Sequence, residues 1–186
     1  LLIANRSKSG LNIIESHKVA VSLGMGGINE GFLATDAIQR ALDAFETFQG
    51  ILLNYPSVQP ILIATSAVRD AKNASTFITA VFERFAWKVT VVSGMKEAEL
   101  IYKGVGLCYD FKEHTMIMDI GGGSTEFIEA NNKGICSEVS LNIGVSRLYQ
   151  GFRLMILFLK RMFKVLSPSL RSIQMAYSKK WIFRCF

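Results

Sequence analysis

The chain has 186 residues, half of them apolar, which is enough to bury the core of one domain or of one domain and a part. Its net charge of +6 is unevenly distributed: residues 1–150 carry 13 Lys or Arg and 15 Asp or Glu, whereas residues 151–186 carry 8 Lys or Arg and no acid. The basic character belongs to the tail, so we expect no nucleic-acid partner. Scattered cysteines without metal-ligand spacing, and no visible signal peptide, favour a cytoplasmic location.

The beginning of the chain predicts short strands and a flexible loop. Leu1–Ala4 and the loosely alternating stretch Leu11–Ser22 are typical of strands, and Asn5–Gly10 is typical of a polar turn. Glycines between residues 24 and 31 interrupt the pattern and predict a loop.

A helix is predicted to begin at Thr35, which would act as its N-cap, and to end before Tyr55 and Pro56. Apolar residues at helical spacing predict one buried face: Ile38, Leu42, Phe45, Phe48 and Leu52.

A central strand is predicted over Pro60–Ser66, an apolar run that suits a strand buried on both faces. Ligands of α/β sheets bind at the carboxyl ends of such strands, and Arg69 lies three residues beyond Ser66. Its guanidinium could hold a phosphate through paired hydrogen bonds. The alternative is a solvated loop cation paired with Asp70.

Two helices and a strand follow, over Ala74–Ala86, Lys96–Leu107 and, between them, Val89–Val92. The first helix would bury three apolar residues: Phe77, Val81 and Phe85. Glu97 and Glu99 open the second helix and should face different sides of it. One of them could deprotonate an attacking water. The alternative is that both acids only complement the helix dipole.

The segment Met116–Ile128 predicts a hairpin with a glycine-rich loop. Three consecutive glycines allow positive φ angles and the close approach of a ligand. Successive N–H groups in such a loop can cradle an anion, and Asp119 could hold a hydrated Mg²⁺ beside it. The alternative is an ordinary tight hairpin in which Asp119 caps the turn. With a third strand over Gly134–Asn142, the order of elements favours two α/β lobes with a cleft between them.

Three segments in register resemble the exopolyphosphatase/guanosine pentaphosphate phosphatase (Ppx/GppA) family: Thr65–Ala71 (TSAVRDA), Ser93–Ile101 (SGMKEAELI) and Asp119–Glu126 (DIGGGSTE). The resemblance covers roughly residues 1–150. It implies the actin-like, ribonuclease-H-like ATPase fold, present as a first lobe plus the start of the second. It also implies a Mg²⁺-dependent hydrolase that cleaves terminal phosphoanhydride bonds of inorganic polyphosphate or guanosine pentaphosphate, and it allows a family-like homodimer.

Site residues follow from the matched positions. Glu97 matches the catalytic base and Arg69 a phosphate-binding arginine, while Asp119 and Glu126 match the metal-linked acids. The second phosphate loop matches four residues: Gly121, Gly122, Gly123 and Ser124. Lys96 replaces the first acid of the family's usual Glu-Glu pair, a change that we expect to be mild.

The resemblance also divides the chain. Residues 1–112 would form a first lobe lacking the family's first strand and phosphate loop, and residues 113–150 the start of a second. Residues 151–186 depart from the family, and we expect a frameshift to have replaced the native continuation. The alternative for this tail is a basic amphipathic helix on a membrane surface. We expect residues 1–186 by themselves to be catalytically inactive. The alternative function is an actin-like nucleotide-binding module without this hydrolase activity.

Overall fold

The computed structural model describes residues 1–7, 10–111 and 114–152, and Leu1–Gln150 form one compact unit. In chain order the elements are β1 (Leu2–Ser7), β2 (Gly10–Ser16), α1 (Thr35–Leu52), β3 (Leu62–Ala64), α2 (Ser66–Arg69), α3 (Ala74–Phe85), β4 (Val89–Val91), α4 (Gly94–Val105), β5 (Thr115–Ile120), β6 (Thr125–Asn131) and β7 (Gly134–Leu141). Residues 145–150 are helical as well and form α5. The predicted α/β class is confirmed.

The strands form three separate sheets among the described residues. An antiparallel pair joins β1 to β2, a parallel pair joins β3 to β4, and an antiparallel sheet has the order β5-β6-β7. Helices α2 and α3 connect β3 to β4, which is the kind of crossover that parallel strands require. The hairpin predicted around the glycine-rich loop is therefore present as β5 and β6, and the predicted third strand as β7.

The larger core lies where α1 and α3 pack together and cover β3. It contains seven buried apolar residues: Leu33, Ala41, Leu42, Val68, Phe77, Val81 and Phe85. The three residues that the sequence predicts to be buried on α3 are all among them, which confirms that face. Phe85 and Trp87 stack with ring centroids 5.1 Å apart, and α3 ends at Ala86 in the left-handed region, with φ of 56°.

A smaller core brings α4 onto the three-stranded sheet. Ala98 of α4 is buried against Ile128 and Ala130 of β6. This contact is possible because Ala98 has a short side chain, which lets the helix approach the sheet closely. It fixes the first turn of α4, and with it Glu97, above one edge of the β5-β6-β7 sheet.

Three local predictions are wrong. β1 continues through Asn5 to Ser7, where the sequence favoured a turn, and β2 ends at Ser16 rather than Ser22. The cross-strand bonds of the hairpin outweigh the polar composition there. Thr35 is the first residue of α1, and Ala34 occupies the N-cap position without a side-chain hydrogen bond.

The strand predicted over Pro60–Ser66 is also shorter than expected and is not buried on both faces. Only Leu62–Ala64 form β3, and Ile61 and Ile63 are 85% and 50% exposed. Leu62 and Ala64 face the larger core, whereas no described element covers the opposite side.

The predictions for the basic tail concern residues that, apart from 151 and 152, lie outside the described part of the chain. Within the described part, no helix combines the length and the apolar character needed to cross a membrane.

Candidate active site

The loop Gly121–Ser124 joins β5 to β6 and is closed by a hydrogen bond from the Gly121 N–H to the Ser124 carbonyl, 2.9 Å long. Gly123 and Ser124 are buried, while Gly122 is exposed. The loop is thus held in the interior at one end and open at the other.

Three consecutive carbonyls of this loop accept hydrogen bonds from three consecutive residues of α5. The Val145 N–H donates to Gly121 (3.0 Å), the Ser146 N–H to Gly122 (2.8 Å) and the Arg147 Nε–H to Gly123 (2.7 Å). By contrast, the N–H groups of Gly122, Gly123 and Ser124 have no acceptor among the described residues. Successive unpaired N–H groups are the donors from which an anion cradle is built.

The glycines of the loop are required for close packing. None of Gly121, Gly122 and Gly123 takes a positive φ angle, so that part of the expectation is wrong. A Cβ on Gly123 would instead lie 2.3 Å from Ser66 Oγ, closer than two such atoms can approach. Gly144 has a similar role, because its Cβ would lie 2.3 Å from the Gly122 carbonyl oxygen.

Arg69 and Glu97 form an ion pair between α2 and α4. Arg69, the last residue of α2, donates through Nη1 to the Glu97 carboxylate at 2.9 Å and to the Val92 carbonyl at 3.0 Å. Ser93 caps α4 by accepting the Lys96 N–H, and this cap places Glu97 in the first turn. Both charged side chains are largely buried, at 20% and 15% exposure, so the alternative of a solvated Arg69 does not describe this site.

Glu99 lies on the other side of α4, as its spacing from Glu97 predicts. It accepts hydrogen bonds from Lys103 at 2.5 Å and Lys96 at 2.7 Å. These bonds lower the pKa of Glu99 to about 2. Glu99 is thus bound by two exposed lysines, whereas Glu97 is bound by the largely buried Arg69, so Glu97 is the better placed of the two acids to act on a water beside Arg69.

Asp119, Glu126 and Ser140 form a row across the three-stranded sheet. The register places Asp119 opposite Glu126 and Glu126 opposite Ser140, and directly opposed residues share one face. Ser140 Oγ donates to Glu126 Oε1 at 2.7 Å. A Cβ on Gly94 would lie 2.7 Å from Ser140 Cβ, so the first turn of α4 packs directly against this row.

The two acids of the row differ in their surroundings. Glu126 is 1% exposed, and its second oxygen, Oε2, has no partner in the described part of the structure. Asp119 is exposed and makes no described hydrogen bond, so the alternative in which it caps the hairpin turn does not hold. Desolvation, and next the charge of Glu126, raise the pKa of Asp119 above its ordinary value.

This arrangement fits Mg²⁺, the metal that the sequence resemblance implies. A buried carboxylate oxygen without a partner, opposite a second carboxylate, is stabilised by a cation. No third acidic, His or Cys side chain joins them among the described residues. Mg²⁺ commonly takes one or two carboxylates and completes its shell with water and phosphate oxygens.

A cleft of about 430 Å³ opens beside these groups. Its walls come from α2, from the first turn of α4 and from β7, and they include Arg69, Asp70, Gly94, Ser140 and Asn142. Arg69, which binds Glu97, and Ser140, which binds Glu126, therefore border a space large enough for a chain of phosphates.

Sequence reasoning missed two residues. Asp70 appeared only as a partner for Arg69, yet in the structure its carboxylate also binds Arg147. Arg147 lies in the segment 144–149, after which the resemblance fades, and the sequence pattern suggests no role for it. The only available signal was the presence of a basic residue shortly after Gly144.

Comparisons with known proteins identify the family. A model of the Ppx/GppA phosphatase family matches residues 2–181. The chain belongs to this family. Its fold is the family's actin-like α/β fold, as the resemblance implied. The matched range extends beyond Gln150. The expected division of the chain at that residue stays a prediction.

Two curated relatives show the extent of the similarity. The chain is 38% identical over 161 residues to the bifunctional 3-dehydroquinate synthase/phosphatase of Fusobacterium nucleatum. The matched region covers 82% of this chain and 24% of that protein. It is 34% identical over 144 residues to the guanosine-5'-triphosphate,3'-diphosphate pyrophosphatase of Pseudoalteromonas translucida, covering 77% of this chain and 29% of the relative. The chain thus spans about a quarter of the length of these relatives.

Solved structures include two informative neighbours. An exopolyphosphatase from Cytophaga hutchinsonii superposes with a TM-score of 0.77 at 34% identity, covering 94% of this chain and 59% of that one. The Ppx/GppA family member from Aquifex aeolicus superposes with a TM-score of 0.67 at 26% identity, covering 81% of this chain and 49% of that one.

Proposed function

We propose that this site hydrolyses terminal phosphoanhydride bonds, in inorganic polyphosphate or in guanosine pentaphosphate. One observation supports this most directly: the Gly121–Ser124 loop, with its unpaired N–H groups, packs through Gly123 against Ser66, the first residue of the helix whose last residue, Arg69, forms the ion pair with Glu97. The N–H groups could bind a phosphate, and the Arg69–Glu97 pair could orient the water molecule that attacks it. The relatives from Cytophaga and Pseudoalteromonas are named for these two substrate classes.

Substrate binding would use the loop and Arg69. Backbone N–H groups of Gly122, Gly123 and Ser124 would donate to oxygens of a phosphate group. Arg69 uses Nη1 for its two described hydrogen bonds, and its Nη2 has no partner in the described part of the chain. That nitrogen is available to bind a phosphate oxygen while the ion pair with Glu97 is kept.

Glu97 would act on the attacking water. Its carboxylate is oriented by Arg69 and held by the capped first turn of α4. It would take the proton of a water molecule as the water oxygen bonds to the terminal phosphorus and the bond to the bridging oxygen breaks. A positioned general base contributes about 10²–10⁴-fold in rate.

Asp119 and Glu126 would hold Mg²⁺ next to the phosphates. The bound ion would neutralise charge on the phosphate oxygens, which phosphoryl transfer needs more than it needs a covalent partner. Ser140 contributes by fixing one oxygen of Glu126, which leaves the other oxygen directed away from that bond.

The whole activity is a proposal for a longer protein, because this chain spans 24% and 29% of the two curated relatives. We expect residues 1–186 alone to bind phosphate chains weakly and to turn them over slowly or not at all. A cytoplasmic location is proposed from the scattered cysteines, and a homodimer of the family's kind on the resemblance alone.

A binding and turnover assay tests the proposal. The chain is titrated with tripolyphosphate in the presence of Mg²⁺, with ATP as a competitor, and released phosphate is measured. Binding of tripolyphosphate that needs Mg²⁺ and that equimolar ATP does not displace would support it. Preferential binding of ATP, without phosphate release from tripolyphosphate, would instead indicate a nucleotide-binding module.

A further inference from the structure

The side chain of Arg147 joins three segments that are far apart in the sequence. Its Nε donates to the Gly123 carbonyl at 2.7 Å and its Nη1 to the Ile28 carbonyl at 3.0 Å. Its Nη2 donates to the carboxylate of Asp70. Only 15% of the side chain is exposed, so this charged group is held inside the fold.

Asp70 extends these contacts to the candidate base. The Asp70 oxygen that binds Arg147 also lies 3.4 Å from Ser66 Oγ, and its other oxygen lies 3.6 Å from Arg69 Nε. Arg69 in turn binds Glu97 at 2.9 Å. Charges of alternating sign therefore run without interruption from Arg147 to Glu97, through Asp70 and Arg69.

The guanidinium is needed for this arrangement. Its planar fork presents donors in fixed directions, and here three different nitrogens bind three acceptors in different segments. A lysine at this position has a single ammonium and cannot reproduce the three bonds. Removing the cation would leave the partly buried Asp70 carboxylate without its nearest counter-charge.

A second side chain of the same helix supports the connection. Gln150 accepts the Gly26 N–H through Oε1 at 2.9 Å and donates through Nε2 to the Gly24 carbonyl at 3.0 Å. Helix α5 thus binds the 24–31 loop as well as the loop that follows β5.

We propose that Arg147 is a positioning residue, which sets the placement of the Gly121–Ser124 loop relative to the Arg69–Glu97 pair. This inference rests on the proposed function of the site. In phosphoryl transfer the phosphate must be aligned with the attacking water, and a displacement of about 1 Å can cost about 10²-fold in rate. None of the hydrogen bonds and ion pairs described for Arg147 goes to α4 or to the acidic row, so its effect would pass through Gly123 and Asp70.

Hydrogen exchange of the ligand-free chain tests the coupling without any substrate. Arg147→Ala and Arg147→Lys are compared with Arg84→Ala, a control that removes an exposed ion pair with Glu46 on α1. Both Arg147 variants should speed exchange by about tenfold or more in the 121–124 loop and in residues 66–70, whereas Arg84→Ala should leave both segments unchanged. Faster exchange confined to α5 would overturn the proposal.

Tripolyphosphate binding tests the consequence for the site. Arg147→Ala should weaken binding about tenfold or more, and added guanidinium should restore part of it, which a general loss of stability would not allow. Asp70→Asn should weaken binding too, and the double variant should be no worse than the more severe single variant, because both act through one ion pair. Additive losses would overturn the proposal.

The proposed function and the positioning role fail in different ways. A longer parent protein, with the missing ends restored, that does not bind tripolyphosphate refutes the proposed function, and the exchange experiment then still decides whether Arg147 couples the two segments. A parent that binds, with Arg147→Ala binding equally well, refutes the positioning role alone.

Discussion

Arg69 and Glu97 form a largely buried ion pair of 2.9 Å between the end of α2 and the first turn of α4. The pair joins the cation proposed to hold phosphate to the acid proposed to activate water. Because the same guanidinium also binds the Val92 carbonyl, its position is fixed before any ligand arrives. The carboxylate of Glu97 is thereby oriented in the ligand-free protein.

In a longer protein with the missing ends restored, Glu97→Gln should lower the rate of phosphate release by about 10²–10⁴-fold, because Gln keeps the shape of the side chain but cannot accept the proton of the attacking water. Tripolyphosphate affinity should change little. The matched control is Glu99→Gln on the same helix, which removes only exposed bonds to Lys96 and Lys103. Steady-state phosphate release and calorimetric titration measure the two quantities, and near-normal turnover in Glu97→Gln would sink the assignment.

Arg69→Lys should weaken tripolyphosphate binding about tenfold or more. An ammonium lacks the planar fork in which one nitrogen binds Glu97 and the Val92 carbonyl while a second nitrogen is free to bind a phosphate oxygen. Arg84→Lys, at an exposed pair on α3, is the control. Equal dissociation constants for the parent and both variants would show that Arg69 serves only the fold.

Asp119→Asn should stabilise the metal-free chain near neutral pH. The pKa of Asp119 is raised, so the folded state holds this proton more tightly than the unfolded state does. Ionised Asp119 therefore costs stability above the raised pKa. As the pH falls through that pKa towards the ordinary value of 3.8, the parent regains the stability that it lacks relative to Asp119→Asn. Urea unfolding at several pH values measures this, and a gain that persists at the lowest pH would contradict ionisation of Asp119 as its cause.

The same position tests the metal. Mg²⁺ should raise the unfolding midpoint of the parent, because an ion that binds only the folded state stabilises it. Asp119→Ala should need more Mg²⁺ for the same rise and for the half-maximal rate. Identical Mg²⁺ dependence in both proteins would remove Asp119 from the metal site.

Gly123→Ala should destabilise the fold by about 1–3 kcal/mol, because the added methyl group would lie 2.3 Å from Ser66 Oγ and 2.8 Å from Ile28 Cδ1. Gly104→Ala on α4 is the control. Apart from the backbone of its own helix, no atom of the described residues lies within 4 Å of its added Cβ, so this change should stabilise the helix by about 0.5–1 kcal/mol. Thermal unfolding of both variants gives the comparison, and equal effects would contradict the packing role of Gly123.

The 186-residue chain by itself should release phosphate from tripolyphosphate at least about tenfold more slowly than the full-length Cytophaga exopolyphosphatase. Substrate contacts that the longer protein makes, and that stabilise the transition state, would be missing from this chain. It should also aggregate. Met116, Met118 and Ile120 are 64%, 57% and 58% exposed on one face of β5. Exposed apolar patches of this kind promote association. Light scattering and a phosphate assay test both expectations, and comparable turnover would refute the first.

Local patterns in the sequence determined much of the fold. The buried face of α3, the β5–β6 hairpin and the opposite directions of Glu97 and Glu99 follow from helical spacing and turn composition, which act between residues close in the chain. The motifs around Arg69, Glu97 and Asp119 indicated the family for the same reason, because each is a short contiguous segment.

Only the tertiary structure decided how these pieces meet. Arg147 binds Asp70, which is 77 positions away, and the carbonyl of Ile28, which is 119 positions away. No local pattern distinguishes this arginine from one that faces solvent. The reason for glycine at position 123 is likewise a distant neighbour, Ser66, rather than a backbone angle. A side chain chooses among many acceptors according to which segments pack beside it, and that choice exists only after the whole unit has folded.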